Sequence, residues 1–236
     1  MLLIICCFFQ SLFAHPQKAQ PEVNTTFNDR IKPKLVRLVQ TIENAYKSCD
    51  DMIGEQITQY EHALQAADLA WKSQADQSSL IIAALLHDIG RIINPESKNP
   101  QQESYNYLSS LWGEAVARPA GNLIKAKRFL LAVDAGYAVH LSQASVQRLV
   151  EQGGAYAQDS SDYISFKKEP YFEESINLRL WDDCSKDTTR STRTFQDYQE
   201  ILVDVSYKHL RGQFNDDQID EAITLIRRLD QSLKNL

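Results

Sequence analysis

The segment Ala83-Ala84-Leu85-Leu86-His87-Asp88-Ile89-Gly90 sets an imidazole beside a carboxylate at the end of an apolar run. A carboxylate so close to a buried stretch is costly unless its charge is compensated, and a cation is a common compensator. A second histidine lies upstream in Tyr60-Glu61-His62-Ala63-Leu64, and two further carboxylates lie far downstream in Leu180-Trp181-Asp182-Asp183. Imidazole nitrogen and carboxylate oxygen together suit divalent ions such as iron, manganese and zinc. In helical bundles, inward-facing side chains of these types converge on one point from separate helices. Adjacent His87 and Asp88 diverge by about 100° on an ideal helix. Both therefore reach one ion only near a helix end, where Gly90 places them. Taken singly, His62 also reads as a hydrogen-bonded core histidine, and Asp182 as a cap or ion-pair carboxylate.

The elements that must position these residues read as helices. Lys34 to Lys47 carries Leu35, Leu38, Val39, Ile42, Ala45 and Tyr46 on one stripe, with Pro33 near its start. Glu55 to Ser73 continues the period, and Gln77 to Ile89 is apolar over Leu80 to Leu86, a run whose alanines and length favour a buried helix over a buried strand, with Gly90 placed as a C′ residue. Residues 91–100, with Asn94-Pro95 and Asn99-Pro100, read as a loop. Further helices are expected at Gln102–Leu111, Val116–Leu131, Ser142–Glu151, Glu173–Asp183, Phe195–Leu210 and Asp217–Lys234. Residues 155–168 are expected to form an exposed connection, and residues 186–194 a loop. No repeat or β-rich section is evident, and the expected fold class is all-α.

Composition agrees with a globular chain. Of 236 residues, 43% are hydrophobic, enough for a substantial core, and one domain is the better prior. A net charge of −6 disfavours a nucleic-acid partner. No apolar run approaches the roughly 18 residues of a membrane span. Residues 1–14 are apolar and precede a polar stretch to residue 28, like a short signal peptide. They lack a basic leading region, and Leu12 fits a cleavage site poorly. Residues 1–28 are therefore set apart from a domain covering 29–236. A cytoplasmic location is expected, with secretion or a periplasmic location as the alternative if residues 1–14 direct export. Cys49 and Cys184, the two cysteines of the body, form neither a CxxC motif nor a disulfide framework.

In order, His62, the His87-Asp88 pair and Asp182 resemble the HD-domain superfamily of metal-dependent phosphohydrolases and related di-iron oxygenases. Ile53-Gly54-Glu55, Glu61-His62, Ala84 to Gly90, Lys125 to Leu130, Leu141 to Ser145, Gln152-Gly153-Gly154 and Arg179 to Asp183 are similar to segments of its phosphonate-degrading oxygenases. The resemblance spans about residues 50–187. It implies an HD-domain helical bundle and, in that family, a mixed-valence di-iron centre that oxidises and cleaves a carbon–phosphorus bond. Carried over by position, it makes His62, His87, Asp88 and Asp182 ligands of the first metal, with Asp88 bridging and Asp183 the alternative to Asp182. It also makes Glu55, Lys127 and Ser145 substrate-binding. An ammonium and a hydroxyl suit a phosphonate by charge and hydrogen bonding.

The departures fall on the second metal. Its two further histidines correspond to Pro100 (or Gln102 with a gap) and Leu123, neither a ligand. The family's histidine after the HDxG segment is Arg91, and its metal-contacting tyrosine is Met52. The leading expectation is therefore a one-metal hydrolase acting on a phosphorylated or phosphonate small molecule. Its cofactor would be a divalent ion, iron first and manganese or zinc as alternatives. Asp88 and Arg91 would serve catalysis, Arg91 standing in for the second cation. A binding module without catalysis is the runner-up, and a residual oxygenase recruiting Glu103 comes third. A homodimer is admitted as an assembly.

Overall fold

The computed structural model describes residues 26–49, 52–53, 57–74, 76–134, 136–141 and 143–234. Glu55, Gly54 and the apolar segment 1–14 lie outside the described residues, as does the question of export. Twelve α-helices follow one another: α1 (Phe27–Ser48), α2 (Gln59–Ser73), α3 (Ser78–Leu86), α4 (Ile89–Ile93), α5 (Pro100–Trp112), α6 (Glu114–Gly121), α7 (Leu123–Val133), α8 (Gln143–Glu151), α9 (Ser161–Lys167), α10 (Phe172–Cys184), α11 (Gln199–Gln213) and α12 (Ile219–Lys234). Short 3₁₀ turns occupy Tyr137–His140, Phe195–Tyr198 and Asp216–Gln218. Among the described residues the chain is all-α apart from one small antiparallel ladder, in which Met52 faces Thr58 and Ile53 faces Ile57.

Capping fixes the two helices that frame the site. Thr26 and Asp29 form a reciprocal capping box that starts α1, so the helix begins at Phe27 and Pro33 lies inside it rather than near its start. Phe27 itself is in the core, ahead of the boundary expected at residue 29. Thr58 and Glu61 repeat the device at α2, placing His62 one residue beyond the box. The same capping residues leave Ile57 buried just outside the helix.

α3 is apolar on every side, as a fully buried helix must be, and Leu80 to Leu86 are all at or below 2% exposure. It packs against α2, α6, α10 and α11, and α2 also packs against α10. The helices carrying His62, His87 and Asp182 therefore meet around one centre. α1 and α12 close one side of the core, with α11 beside α1. One large apolar cluster draws on α1 to α6 and α10 to α12.

Several boundaries differ from the sequence expectation for tertiary reasons. The apolar run does not continue helical to Ile89. α3 stops at Leu86, and Asp88, at φ −98° and ψ 13°, turns the chain into α4. That short helix occupies the start of the stretch expected to be a loop. Gly90 is not a left-handed C′ residue but sits inside α4. A Cβ there would lie 2.0 Å from the Pro100 carbonyl oxygen and 2.6 Å from the Ser104 nitrogen. The close approach lets the Gly90 N–H donate to Ser104 Oγ at 2.9 Å, clamping α4 onto α5. The helix expected from Val116 to Leu131 breaks at Asn122, into α6 and α7.

Residues 155–168 are not an exposed connection throughout. They contain α9, whose Phe166 is 1% exposed. Phe129, Tyr156, Tyr163, Phe166 and Phe172 assemble a satellite aromatic cluster, with Phe129 and Phe166 edge-to-face at 5.9 Å. Five aromatic residues scattered through polar sequence carry no helical period, which hid this element. Cys184 is an exposed free thiol.

Gly90→Ala is expected to destabilise the protein by about 1–3 kcal/mol, as an overpacked methyl does where backbone must move. The urea midpoint of the variant against wild type measures it. An unchanged midpoint would mean that the contact between α4 and α5 yields freely.

Candidate metal centre

His62 is the fourth residue of α2, and its ring lies on the inward face at 1% exposure. His87 sits at the C-cap of α3, also at 1%. Asp182 comes from the last turns of α10 and is largely buried. His62 Nε2 is 3.2 Å from His87 Nε2 and 3.2 Å from Asp182 Oδ1, while His87 Nε2 is 3.9 Å from the same oxygen. Three potential ligand atoms from three helices thus lie within 4.8 Å of one another.

The other ring nitrogens determine what these atoms carry. His87 Nδ1 is 2.8 Å from the Ala84 carbonyl oxygen, which only accepts, so Nδ1 holds the proton. His62 Nδ1 is 2.8 Å from the Ser185 carbonyl oxygen. Ser185 Oγ, 3.0 Å from the same nitrogen, spends its own proton on the Asp182 carbonyl. His62 is therefore protonated at Nδ1 as well, and both Nε2 atoms present lone pairs. Burial pushes the His87 imidazolium pKa down and favours the neutral ring, against the pull of Asp88 and Asp182. Two lone pairs and a carboxylate oxygen so close repel one another in a dry interior. A cation between them removes that repulsion, and imidazoles held at Nδ1 by carbonyls are the usual form of metal-ligating histidine. The donor set fits a divalent ion.

Asp88 stands beside this cluster rather than within it. Its Oδ2 is 3.7 Å from His87 Nε2 and accepts from Gln59 Nε2 at 3.0 Å, while Oδ1 accepts from Arg91 Nε at 3.1 Å. Burial would raise its pKa, but His87 and Arg91 outweigh burial and keep it below the ordinary carboxylate range. Burial would likewise raise Asp182, yet the Arg179 guanidinium, with Nη1 at 2.7 Å, holds it well below that range.

Arg179 is 7% exposed and also forks onto both oxygens of Asp183, which accepts a further bond from Tyr137 Oη. Asp182 is therefore the residue facing the histidines, and Asp183 anchors the arginine. Arg179 and Asp183 at i and i+4 are an ordinary helical ion-pair spacing, which is the signal that could have marked them. Nothing in sequence announces Gln59, Ser185 or Tyr137.

Lys127, on α7, is 4% exposed and close enough to Arg179, Asp182 and Asp183 to feel their charges. No carboxylate among the described residues lies within ion-pair distance of it. Burial, with Arg179 repelling it, lowers its pKa to about 8. Arg148 of α8 also repels Lys127, and Ser145 on the same helix is half-buried. Leu123, at the first turn of α7, is 2% exposed in the apolar core, and Pro100 is the first residue of α5. Met52 is half-exposed.

A helical bundle with an inward-facing His/His/Asp set is the class of protein that these observations define. No family model matches the chain. It is 36% identical to a hydroxymethylphosphonate dioxygenase of Gimesia maris over 154 residues, 61% of this chain and 75% of that enzyme. A protein of unknown function from Acanthamoeba polyphaga mimivirus is 32% identical over 184 residues, 72% of this chain and 83% of the viral protein. The [1-hydroxy-2-(trimethylamino)ethyl]phosphonate dioxygenase (glycine-betaine-forming) of Leisingera caerulea is 26% identical over 170 residues, 68% and 85% of the two chains. The chain belongs to the family of these phosphonate dioxygenases.

The lowered pKa of Lys127 has a definite sign in stability. Between pH 8 and the unfolded value of 10.5 the unfolded chain holds the proton and the folded chain does not. Stability of the wild type relative to Lys127→Met is therefore expected to rise across that window. Urea titrations at pH 7.5, 9 and 10 read it, and a flat difference would mean that the ammonium is fully solvated.

Proposed function

We propose that this chain is an HD-domain protein holding one divalent ion, and that it hydrolyses a phosphoester on a small phosphate- or phosphonate-bearing molecule. The observation that carries the reading is the Arg91–Asp88 pair. Asp88 is the carboxylate that a two-metal site would share, and its Oδ1 accepts from Arg91 Nε at 3.1 Å. A guanidinium is a permanent cation with a fixed fork of donors. Here it supplies positive charge to Asp88 without a second ion, and buried Leu123 offers no ligand nearby in the fold.

His62, His87 and Asp182 would hold the ion, with Asp88 adjoining. When bound, such an ion acts as a Lewis acid and lowers the pKa of coordinated water. The remaining work falls to the chain. Asp88 stays ionised and is fixed by Gln59 and Arg91 on opposite oxygens. Arg179 holds the Asp182 carboxylate facing the histidines. Lys127, largely screened from water and protonated at neutral pH, would take the phosphoryl oxygens, aided by Ser145, while Glu55, by resemblance, would accept from a donor elsewhere on the substrate. Arg91, with a side chain 29% exposed, keeps donors free for the same anion.

The oxygenase is the second reading, favoured by the printed activities of the Gimesia and Leisingera relatives. It requires two irons per chain, the second held by residues other than Leu123 and Pro100.

Elemental analysis of protein purified without added metal is expected to give about one ion per chain, as a three-ligand site provides. His62→Ala and Asp182→Ala should lose it together with metal-dependent turnover of aryl phosphates. Two irons with oxygen uptake on hydroxymethylphosphonate would establish the oxygenase instead. No metal after reconstitution would leave a binding module.

A further inference from the structure

α1 and α12 run parallel, because Arg30 meets Asp220 at 2.5 Å and Thr41, further along α1, meets Asp230 at 2.7 Å, further along α12. Between them opens a cavity of about 500 Å³ that shares no residue with the His/His/Asp cluster. The volume lies within the range of small-molecule sites.

Its charges are unevenly answered. Asp29 is spent on the capping box with Thr26, and Asp230 on Thr41 and Lys234. Arg30 is spent on Asp220. Lys34 and Arg37 on α1 and Arg227 on α12 also line the cavity, and none has a carboxylate within 4.0 Å among the described residues. Asp29 keeps its charge within the capping box, yet these three cations, converging on one groove, leave it with a net positive excess, in a chain whose net charge is −6. Helical periodicity explains the convergence, since residues 30, 34 and 37 share a face of α1, as do 223, 227 and 230 on α12. Clustered like charges raise a local positive potential that concentrates anions. Pro33, Ile223 and Ile226 supply an apolar wall beside them.

We propose that this groove is a second ligand site, for a small organic polyanion whose phosphate or carboxylate oxygens meet Lys34, Arg37 and Arg227 and whose carbon skeleton lies on Pro33, Ile223 and Ile226. Guanidinium forks and an ammonium bind either oxyanion. The site stands independently of the metal centre.

Isothermal titration of the full chain with pyrophosphate and with citrate tests it, the two probes separating phosphate from carboxylate preference. Binding of either is expected, weakening with added salt. It should fall at least about tenfold in the triple variant Lys34→Ala, Arg37→Ala, Arg227→Ala, whose alanines suit exposed helical positions. Lys127→Ala should leave that binding in place, which separates the groove from the metal centre. Binding of neither probe, or equal affinity in the triple variant and wild type, would overturn the proposal.

Discussion

Two imidazoles, each committed at Nδ1 to a backbone carbonyl, face each other through bare Nε2 atoms 3.2 Å apart. The fold is arranged around this constraint. Neither ring can rotate to relieve the repulsion without abandoning a buried carbonyl, and an orphaned buried acceptor costs about 1–3 kcal/mol. The carbonyls are themselves products of helix ends. Ala84 lies in the last turn of α3, where carbonyls lose their helical partners, and Ser185 is the C-cap of α10. The ends of α3 and α10 therefore hold the rings, and the α2 capping box sets the depth of His62. A site assembled from helix termini tolerates the adjacency of His87 and Asp88, because the backbone leaves helical geometry at Asp88.

Much of this site is legible in the sequence, and the reason is local. His62, His87, Asp88 and Asp182 are titratable residues embedded in apolar helical pattern, an inconsistency that points to compensation nearby. What sequence could not separate was the role of Asp88 from that of Asp182. The separation depends on Gln59 and Arg91, which occupy both Asp88 oxygens, and on Arg179, which leaves one Asp182 oxygen toward the histidines. Such choices depend on which helices pack together, and no spacing along the chain encodes them.

The helical pattern was legible wherever one stripe faced one core, as in α1 and α12. It failed where contacts are made by close approach or by scattered aromatics. Gly90 reads as a helix terminator because glycine commonly is one. Here it is required because the Pro100 carbonyl occupies the space of its side chain. α9 and its Phe166 were hidden because the cluster of aromatics that buries them comes from α7, α10 and the segment before α9. The break at Asn122 falls at Pro119-Ala120-Gly121-Asn122, a stop signal that the apolar period continuing on either side outweighed.

Charge balance at the centre connects these details to the ligand. Asp88, Asp182 and Asp183 bring three negative charges, and Arg91, Arg179 and Lys127 bring three positive ones. Lys186 adds a further cation 3.8 Å from Asp183, and these opposed charges explain how so many ionised groups persist beside an apolar core. On the proposed reading, a divalent ion makes that set more positive, and a phosphate or phosphonate dianion offsets the added charge. Arg91, at the position where the resembling family has a histidine after the HDxG segment, neutralises Asp88 with one guanidinium, where a further dication would leave the site more strongly positive. On the proposed one-ion reading, Arg91 therefore preserves the site's match to a phosphoryl group.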